Sequence, residues 1–183
     1  EELELLYEIE TFSIGDKALR DPKFRTFHPL GRVPVLIDGD IKLYESGAII
    51  QYILAKYSAG QLQVESTDLH FYQYLQWFHF AEGMIMPPLN TLVVETVLLP
   101  PERKNEVNVK RATKLLNQIL EVVEARLNEV AYLAINFSAA DIMSGHATIM
   151  CAHHGIDLRD KPNCRRYVER LMERPQLQKA WSL

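Results

Sequence analysis

The stretch that decides the fold begins His28-Pro29-Leu30-Gly31-Arg32-Val33-Pro34-Val35-Leu36-Ile37 and runs on to Tyr57. The part from Val33 to Ile37 is β-branched and apolar, as is typical of a buried strand. Asp38-Gly39 favours a tight turn that needs a positive φ. Residues 41–44 then alternate apolar and polar side chains, as a second strand does. The sequence therefore predicts a β-hairpin.

A proline stands near the start of the first predicted strand. Pro34 has no N–H to donate to a sheet, so it belongs at the beginning of a strand or on an edge. The Val33–Pro34 bond is a candidate for the cis form. The backbone N–H and C=O of Val33 would then stay unpaired within the sheet. An extended peptide ligand could pair with them, as in strand addition.

The hairpin leads into Glu45-Ser46, followed by an apolar helical pattern to about Tyr57. The first N–H groups of a helix have no partner inside it, and the dipole there is positive, so this end can bind a carboxylate. Glu45 adds an anion for an ammonium group. The pair suits an α-amino acid terminus of a ligand. An ordinary N-cap at Ser46 fits the same spacing.

The whole pattern resembles the glutathione-binding half of a glutathione transferase. The matching features are Val33-Pro34, Glu45-Ser46 and the interval between them. The resemblance implies that valine and a cis-proline pair with the cysteinyl backbone of glutathione, and that the acid and serine hold its γ-glutamyl end. It also implies that Arg32 reaches the glycyl end if its side chain points inward. Lys17 and Arg20, in the polar loop before the hairpin, are candidates for the glycyl carboxylate. A solvated position is the alternative for these three basic residues.

The resemblance implies an α+β fold with two domains. A thioredoxin-like domain is expected over residues 1–60 and an all-α helical bundle over residues 67–183, with a linker between them. The chain begins with a helix-like segment, Glu1 to Leu5, and then a predicted second strand from Leu5 to Phe12. Compared with the family, the first domain is therefore expected to be truncated, without its first strand and most of its first helix.

A serine-to-aspartate pair near the other end of the chain supports the resemblance. Ser138 and Asp141 form an N-terminal box before an apolar helix. The transferase family has this box at its central buried helix, where its role is folding. Asp141 is therefore expected to be structural and not catalytic.

The segment from residue 69 to about 82 carries many aromatic side chains at helical spacing. Gly83 and Pro87-Pro88 are expected to kink or break that helix. The pattern indicates core packing and a dimer contact, while in the family this helix faces the ligand cleft. The resemblance thus implies an apolar second-substrate pocket. Its candidate lining is Phe80, Met84 and Met86.

The resemblance also implies a homodimer, in which a residue of the partner's long helix completes the γ-glutamyl site. His79 and Glu82 lie in the corresponding region of this sequence.

The remaining helices follow from capping and proline signals: a long helix from Glu102 to about Val130, one ending at Gly155, one opened by Pro162, and a last one to Trp181. Trp181 is expected to pack on the core.

The composition is that of an ordinary globular protein, with 183 residues, of which 48% are hydrophobic and 24% charged. A net charge of −4 argues against a general nucleic-acid binder. No apolar run reaches the ~20 residues needed to span a bilayer. The acidic N-terminus is not a signal peptide. Cys151 and Cys164 are expected to be free thiols in a reducing, cytoplasmic environment.

Three histidines, His146, His153 and His154, are the candidates for a metal site. Adjacent histidines on a helix point about 100° apart. No acid–histidine or cysteine–histidine spacing completes a closed site around them. The sequence therefore predicts glutathione as co-substrate and no metal.

Glutathione chemistry needs the thiolate, because the thiol is a weak nucleophile. In the family, a Tyr, Ser or Cys at the end of the first strand or the start of the first helix activates it, and that position is expected to lie ahead of this sequence. Tyr7, on the predicted second strand, is not that residue, so the catalytic residue is unknown. Three functions compete: thiolate transfer to a small apolar electrophile, glutathione-dependent thiol transfer or reduction, and noncatalytic binding of glutathione or a protein partner.

Overall fold

The computed structural model describes residues 1–13 and 15–182 and divides into two compact units, Glu1–Gln61 and Leu62–Leu183. The first unit contains the predicted hairpin. Strand β1 spans Val35–Asp38 and pairs antiparallel with β2, Ile41–Tyr44. Gly39 takes φ 60° at the first position of the two-residue turn. The first strand begins after Pro34, because proline cannot donate to the ladder.

Helix α1, Ser46–Tyr57, follows the hairpin and is tied to the end of β1. The Asp38 carboxylate accepts hydrogen bonds from Tyr52 Oη at 2.8 Å, Lys56 Nζ at 2.7 Å and Tyr57 Oη at 2.5 Å. The Lys56 ammonium, followed by the two phenols, lowers the pKa of Asp38 to about 2. These bonds fix the carboxyl-terminal half of α1 relative to the hairpin.

Residues 5–12 do not form the predicted strand. A strand needs a hydrogen-bonded neighbour, and within the described part of the chain the sheet contains only β1 and β2. The preceding helix-like segment is a single turn, closed by a 2.9 Å bond from the Glu4 N–H to the Glu1 C=O. The polar loop before the hairpin holds two short 3₁₀ helices, Lys17–Arg20 and Phe24–Thr26.

The second unit is helical, as predicted. Its α-helices are α2 Phe71–Phe80, α3 Met86–Val93, α4 Glu106–Leu127, α5 His146–His153, α6 Pro162–Met172 and α7 Pro175–Trp181. Three π-helical turns adjoin them, Ala81–Ile85, Val94–Leu98 and Asp141–Gly145, and Pro101–Arg103 is a 3₁₀ turn. None of the helices in the described ranges is long and apolar enough to cross a membrane.

The aromatic helix does not break at Gly83 or at Pro87-Pro88. The π-helical turn Ala81–Ile85 joins α2 directly to α3, and the Met86 N–H donates to the Ala81 C=O across five residues. The two prolines therefore fall in the first turn of α3, where an α-helix has no internal partner for its N–H groups. The hydrogen-bond register therefore changes at this point, while the helical run continues.

Helix α4 starts later than predicted, at Glu106. The Asn105 side chain caps it by accepting from the Val107 N–H at 2.9 Å. The Glu95 carboxylate, buried near the start of the preceding π-helical turn, accepts from the Asn105 N–H and Asn108 Nδ2, both at 2.7 Å. These bonds stop the helix at its cap, so Pro101–Arg103 stays a separate turn.

The core of the second unit is built around the amphipathic α4 and the run that starts after Ser138. Its largest fully buried side chains include Phe78, Ile85, Leu89, Leu116, Leu120, Val123, Leu133 and Tyr167. The Ser144 hydroxyl donates to the Trp77 C=O, which links α2 to the π-helical turn Asp141–Gly145. Trp181, expected on the core, is 42% exposed and meets only the edge of the His146 ring among the described aromatic contacts.

The predicted serine-to-aspartate box is confirmed. The Ser138 Oγ accepts from the Ala140 N–H at 3.3 Å, and Asp141 accepts from the Ser138 N–H at 3.0 Å. Asp141, only 1% exposed, also accepts from the Leu133 N–H at 2.9 Å and Tyr167 Oη at 2.6 Å. The carboxylate thus joins a helix start, the preceding loop and α6.

Gly145 allows α6 to approach this central helix closely. A Cβ at Gly145 would lie 2.5 Å from Leu171 Cδ1 and 2.8 Å from Tyr167 Oη. We expect Gly145→Ala to lower the free energy of unfolding by about 1–3 kcal/mol through overpacking. Gly83 is the matched control, because a Cβ there meets nothing within 4 Å. Gly83→Ala should be neutral or stabilising in the same urea titration, and equal stability of both variants would contradict the close packing.

Candidate functional site

The antiparallel register brings Val33-Pro34 and Glu45-Ser46 to the same end of the hairpin. Val35 pairs with Tyr44 in the last rung of the ladder. The residues just beyond that rung are Pro34 on one side and Glu45 on the other. Paired residues in an antiparallel ladder lie about 5 Å apart. Two dipeptides separated by ten residues of sequence therefore meet at one open edge.

The Val33–Pro34 peptide bond is cis, as the sequence suggested. Val33 lies outside the β1–β2 ladder and is 51% exposed, and Pro34 is exposed as well. The backbone at this position is accessible at the end of the hairpin. An extended ligand can therefore lie beside Val33 without displacing a strand.

Glu45, not Ser46, is the N-cap of α1. The Glu45 C=O accepts the first helical bond, from the Ile49 N–H at 2.9 Å, and Ser46 is the first helical residue. The interpretation of Ser46 as an ordinary N-cap is therefore wrong. Glu45 has φ 77° and ψ 114°, which is strained for a side chain other than glycine. Such strain is concentrated at functional sites, where the surrounding structure maintains it.

A glycine allows the loop that carries Lys17 and Arg20 to approach this end of the hairpin closely. Gly31 has φ 62°, and a Cβ there would lie 2.1 Å from the Leu19 C=O oxygen. The short helix Lys17–Arg20 therefore packs against the residue that precedes Arg32. The three basic candidates, Lys17, Arg20 and Arg32, are all exposed. Their segments are adjacent, because Gly31 contacts Leu19.

The second-substrate candidates lie in the second unit around the π-helical turn. Phe80 is half-buried against Trp77, with ring centroids 4.9 Å apart, and Met84 is 49% exposed one turn later. Met86 is half-buried and follows Met84 by two residues, which places it on a different side of the helical run. The helix thus groups Phe80 with Met84. His79 and Glu82, the dimer-site candidates, are both exposed.

His28 is a residue that the sequence did not single out beyond marking the start of the stretch. It is only 6% exposed, its Nδ1 accepts from the Leu30 N–H at 3.1 Å, and its ring lies 4.6 Å from the Tyr44 ring. A signal was present, because a polar side chain two residues before Leu30 can close a turn through the backbone. Its burial against the end of β2 depends on the tertiary structure.

The cysteines offer no nucleophile to this site. Cys151 and Cys164 are free and fully buried in the second unit. Burial raises the pKa of Cys151 to about 12 and that of Cys164 further, so both stay protonated and unreactive. Among residues 1–13 and 15–182, no group of three or more His, Cys, Asp or Glu side chains is arranged to hold a metal ion.

Comparison with known proteins points to one family. Residues 1–55 match the model of the glutathione S-transferase N-terminal domain. Glutathione S-transferase F10 of Arabidopsis thaliana is 36% identical over 67% of this chain and 59% of its own length. The chain therefore spans less than two thirds of that relative.

Two longer matches extend to nearly the whole chain. The probable glutathione S-transferase GSTF2 of Oryza sativa subsp. japonica is 30% identical over 97% of this chain and 85% of its own length. The crystal structure of the glutathione transferase URE2P6 from Phanerochaete chrysosporium, in complex with oxidized glutathione, superposes with a TM-score of 0.88 at 26% identity. It covers 99% of this chain and 86% of that one. The chain belongs to the glutathione S-transferase family.

Proposed function

We propose that the protein binds glutathione at the open end of the hairpin and transfers its thiolate to a small apolar electrophile. The observation that carries the proposal is the meeting of Val33–cis-Pro34 and Glu45-Ser46 beyond the last rung of the ladder. Glutathione is an extended tripeptide with an α-amino acid end, a central amide unit and a carboxylate end. Each of these parts has a complementary group at this edge.

The exposed backbone of Val33 suits the cysteinyl unit, which would pair with it as an added strand. The N-terminus of α1 with Ser46 suits the γ-glutamyl carboxylate, because helical N–H groups and the dipole favour an anion there. Glu45 suits the γ-glutamyl ammonium. Arg32, with Lys17 or Arg20, supplies positive charge for the glycyl carboxylate. This arrangement satisfies the three charged groups of the ligand.

Transfer to an electrophile forms a sulfur–carbon bond and expels the leaving group with its electron pair, so no redox partner is needed. We assign Phe80 and Met84 to the apolar second-substrate pocket, because they share one face of the helical run, whereas Met86 lies on a different side of it. Flexible thioether side chains suit electrophiles of varied shape. The residue that activates the thiol is not assigned to any position of the described chain.

A homodimer is part of the proposal. Helices α2 and α4 expose apolar side chains at helical spacing, Tyr72 and Leu75 on one and Leu115 and Val122 on the other. A second copy of the chain would cover such faces. A cytoplasmic location agrees with the free cysteines.

Ser46→Ala tests the assignment. We expect the affinity for reduced glutathione, measured by isothermal titration calorimetry, to fall by about tenfold or more, because a hydrogen bond to the ligand carboxylate is lost. Ser66→Ala is the matched control, since Ser66 is exposed and lies outside the site. Unchanged affinity in Ser46→Ala would remove the γ-glutamyl assignment.

Turnover distinguishes the three competing functions. Conjugation of 1-chloro-2,4-dinitrobenzene with release of chloride would support the transferase. Reduction of a small disulfide at the expense of glutathione, without conjugation, would support the thiol transferase. Binding without either reaction would identify a noncatalytic member.

A further inference from the structure

A buried histidine connects the two halves of the candidate site. His28 is 6% exposed and lies at the start of the turn that leads to Val33. Its Nδ1 accepts from the Leu30 N–H at 3.1 Å, and its C=O accepts from the Gly31 N–H at 2.9 Å. Two hydrogen bonds from one residue therefore fix the turn just before Arg32-Val33.

The other side of the imidazole faces the second strand. The ring centroids of His28 and Tyr44 are 4.6 Å apart at an interplanar angle of 41°. Tyr44 is the last residue of β2, pairs with Val35 and precedes Glu45. The imidazole thus packs against the residue from which the γ-glutamyl side of the site begins.

We propose that His28 is a positioning residue for glutathione, which holds the Val33 backbone in register with the Glu45-Ser46 helix start. The inference rests on the proposed function, because it names what aligns that same site. His28 acts through Leu30 and Tyr44, and the ligand contacts are those of Val33, Glu45 and Ser46. The neutral tautomer with its proton on Nε2 leaves Nδ1 free to accept the Leu30 N–H.

Two substitutions separate the two contacts. His28→Asn keeps a side-chain acceptor two residues before Leu30, as in an Asx turn, and removes the ring that packs on Tyr44. His28→Phe keeps an aromatic ring and removes the acceptor. His28→Leu replaces the phenylalanine variant if the larger ring prevents folding, because it also lacks an acceptor.

The decisive measurement pairs thermal unfolding with calorimetric titration of reduced glutathione. We expect His28→Asn to unfold at a lower temperature but to bind within about threefold of the wild type, because the turn is retained. We expect His28→Phe to unfold at a temperature no lower than that of His28→Asn and yet to bind about tenfold more weakly, because the acceptor is lost. A purely structural role would make affinity follow stability, and that result, or full affinity in His28→Phe, would overturn the inference.

The amide nuclear magnetic resonance signals of Gly31, Arg32 and Val33 give a readout that needs no ligand. They should move in His28→Phe and stay near their wild-type positions in His28→Asn. If the wild type fails to bind glutathione, the proposed function fails, and these signals alone decide whether His28 sets the turn. Unmoved signals in His28→Phe would overturn the positioning role regardless of binding.

Discussion

Asp141→Ala is expected to lower the free energy of unfolding by about 3–5 kcal/mol, a large part of the 5–15 kcal/mol typical of a folded domain. The helix cap alone predicts about 1 kcal/mol. The larger value follows from the additional donors on the carboxylate. Without it, the Leu133 N–H, the Ser138 N–H and the Tyr167 hydroxyl are left buried and unpaired, and each costs about 1–3 kcal/mol.

Urea unfolding of the full chain measures this change. Asp157→Ala is the control, since Asp157 is an exposed acid whose main partner is its near neighbour Arg159, and exposed pairs contribute little. Tyr167→Phe completes a double-mutant cycle with Asp141→Ala. The two losses should be strongly non-additive, because both remove the same 2.6 Å bond. An unchanged urea midpoint in Asp141→Ala would refute the structural role.

Glu45→Gly is expected to change stability and binding in opposite directions. Glu45 adopts φ 77° and ψ 114°, a conformation that costs about 1–3 kcal/mol in a residue with a Cβ. Glycine removes that strain, but its greater freedom in the unfolded chain lowers the free energy of unfolding by about 0.5–1 kcal/mol. The free energy of unfolding should therefore rise by about 1 kcal/mol. Affinity for glutathione should fall about tenfold or more, because the carboxylate that meets the ligand ammonium is gone.

Two further variants separate strain from charge. Glu45→Gln keeps the strained backbone and removes the charge, so it should weaken binding and leave stability nearly unchanged. Ile135→Gly relieves the same kind of strain in the other unit, where Ile135 has φ 77°, a conformation that β-branched residues rarely adopt. It should leave glutathione affinity unchanged, whatever the balance between relieved strain and lost burial of the half-buried Ile135 side chain. Tight binding by Glu45→Gly would exclude Glu45 from the site, and lower stability would contradict the strain.

The hairpin and the capping box were predictable because their signals are local. A β-branched run, an Asp-Gly pair and an alternating run specify β1, the turn and β2 within ten residues. Ser138 and Asp141 specify a helix start within four residues. The family resemblance rests on the spacing of Val33-Pro34 and Glu45-Ser46, which is also written in the sequence.

The wrong expectations concern segments whose structure depends on residues outside the pattern that suggested it. Residues 5–12 carry a strand pattern, but a strand forms only where another strand supplies hydrogen bonds. Pro87-Pro88 signals a break, but the hydrogen-bond register shifts in the π-helical turn Ala81–Ile85 and the helical run continues. Serine is a favoured N-cap residue, but the turn out of β2 places Glu45 at the N-cap of α1 and makes Ser46 the first helical residue.

The stretch from His28 to Tyr57 by itself determined the hairpin and the helix, because each signal acts between residues close in the chain. It pointed to the family together with the Ser138–Asp141 box. The tertiary structure alone decided the positive φ of Glu45, the contact of Gly31 with Leu19 and the burial of His28 between the turn and Tyr44. These features arise where segments far apart in sequence are forced together. Side-chain volume and hydrogen-bond satisfaction at such contacts depend on every partner at once, which no local pattern encodes.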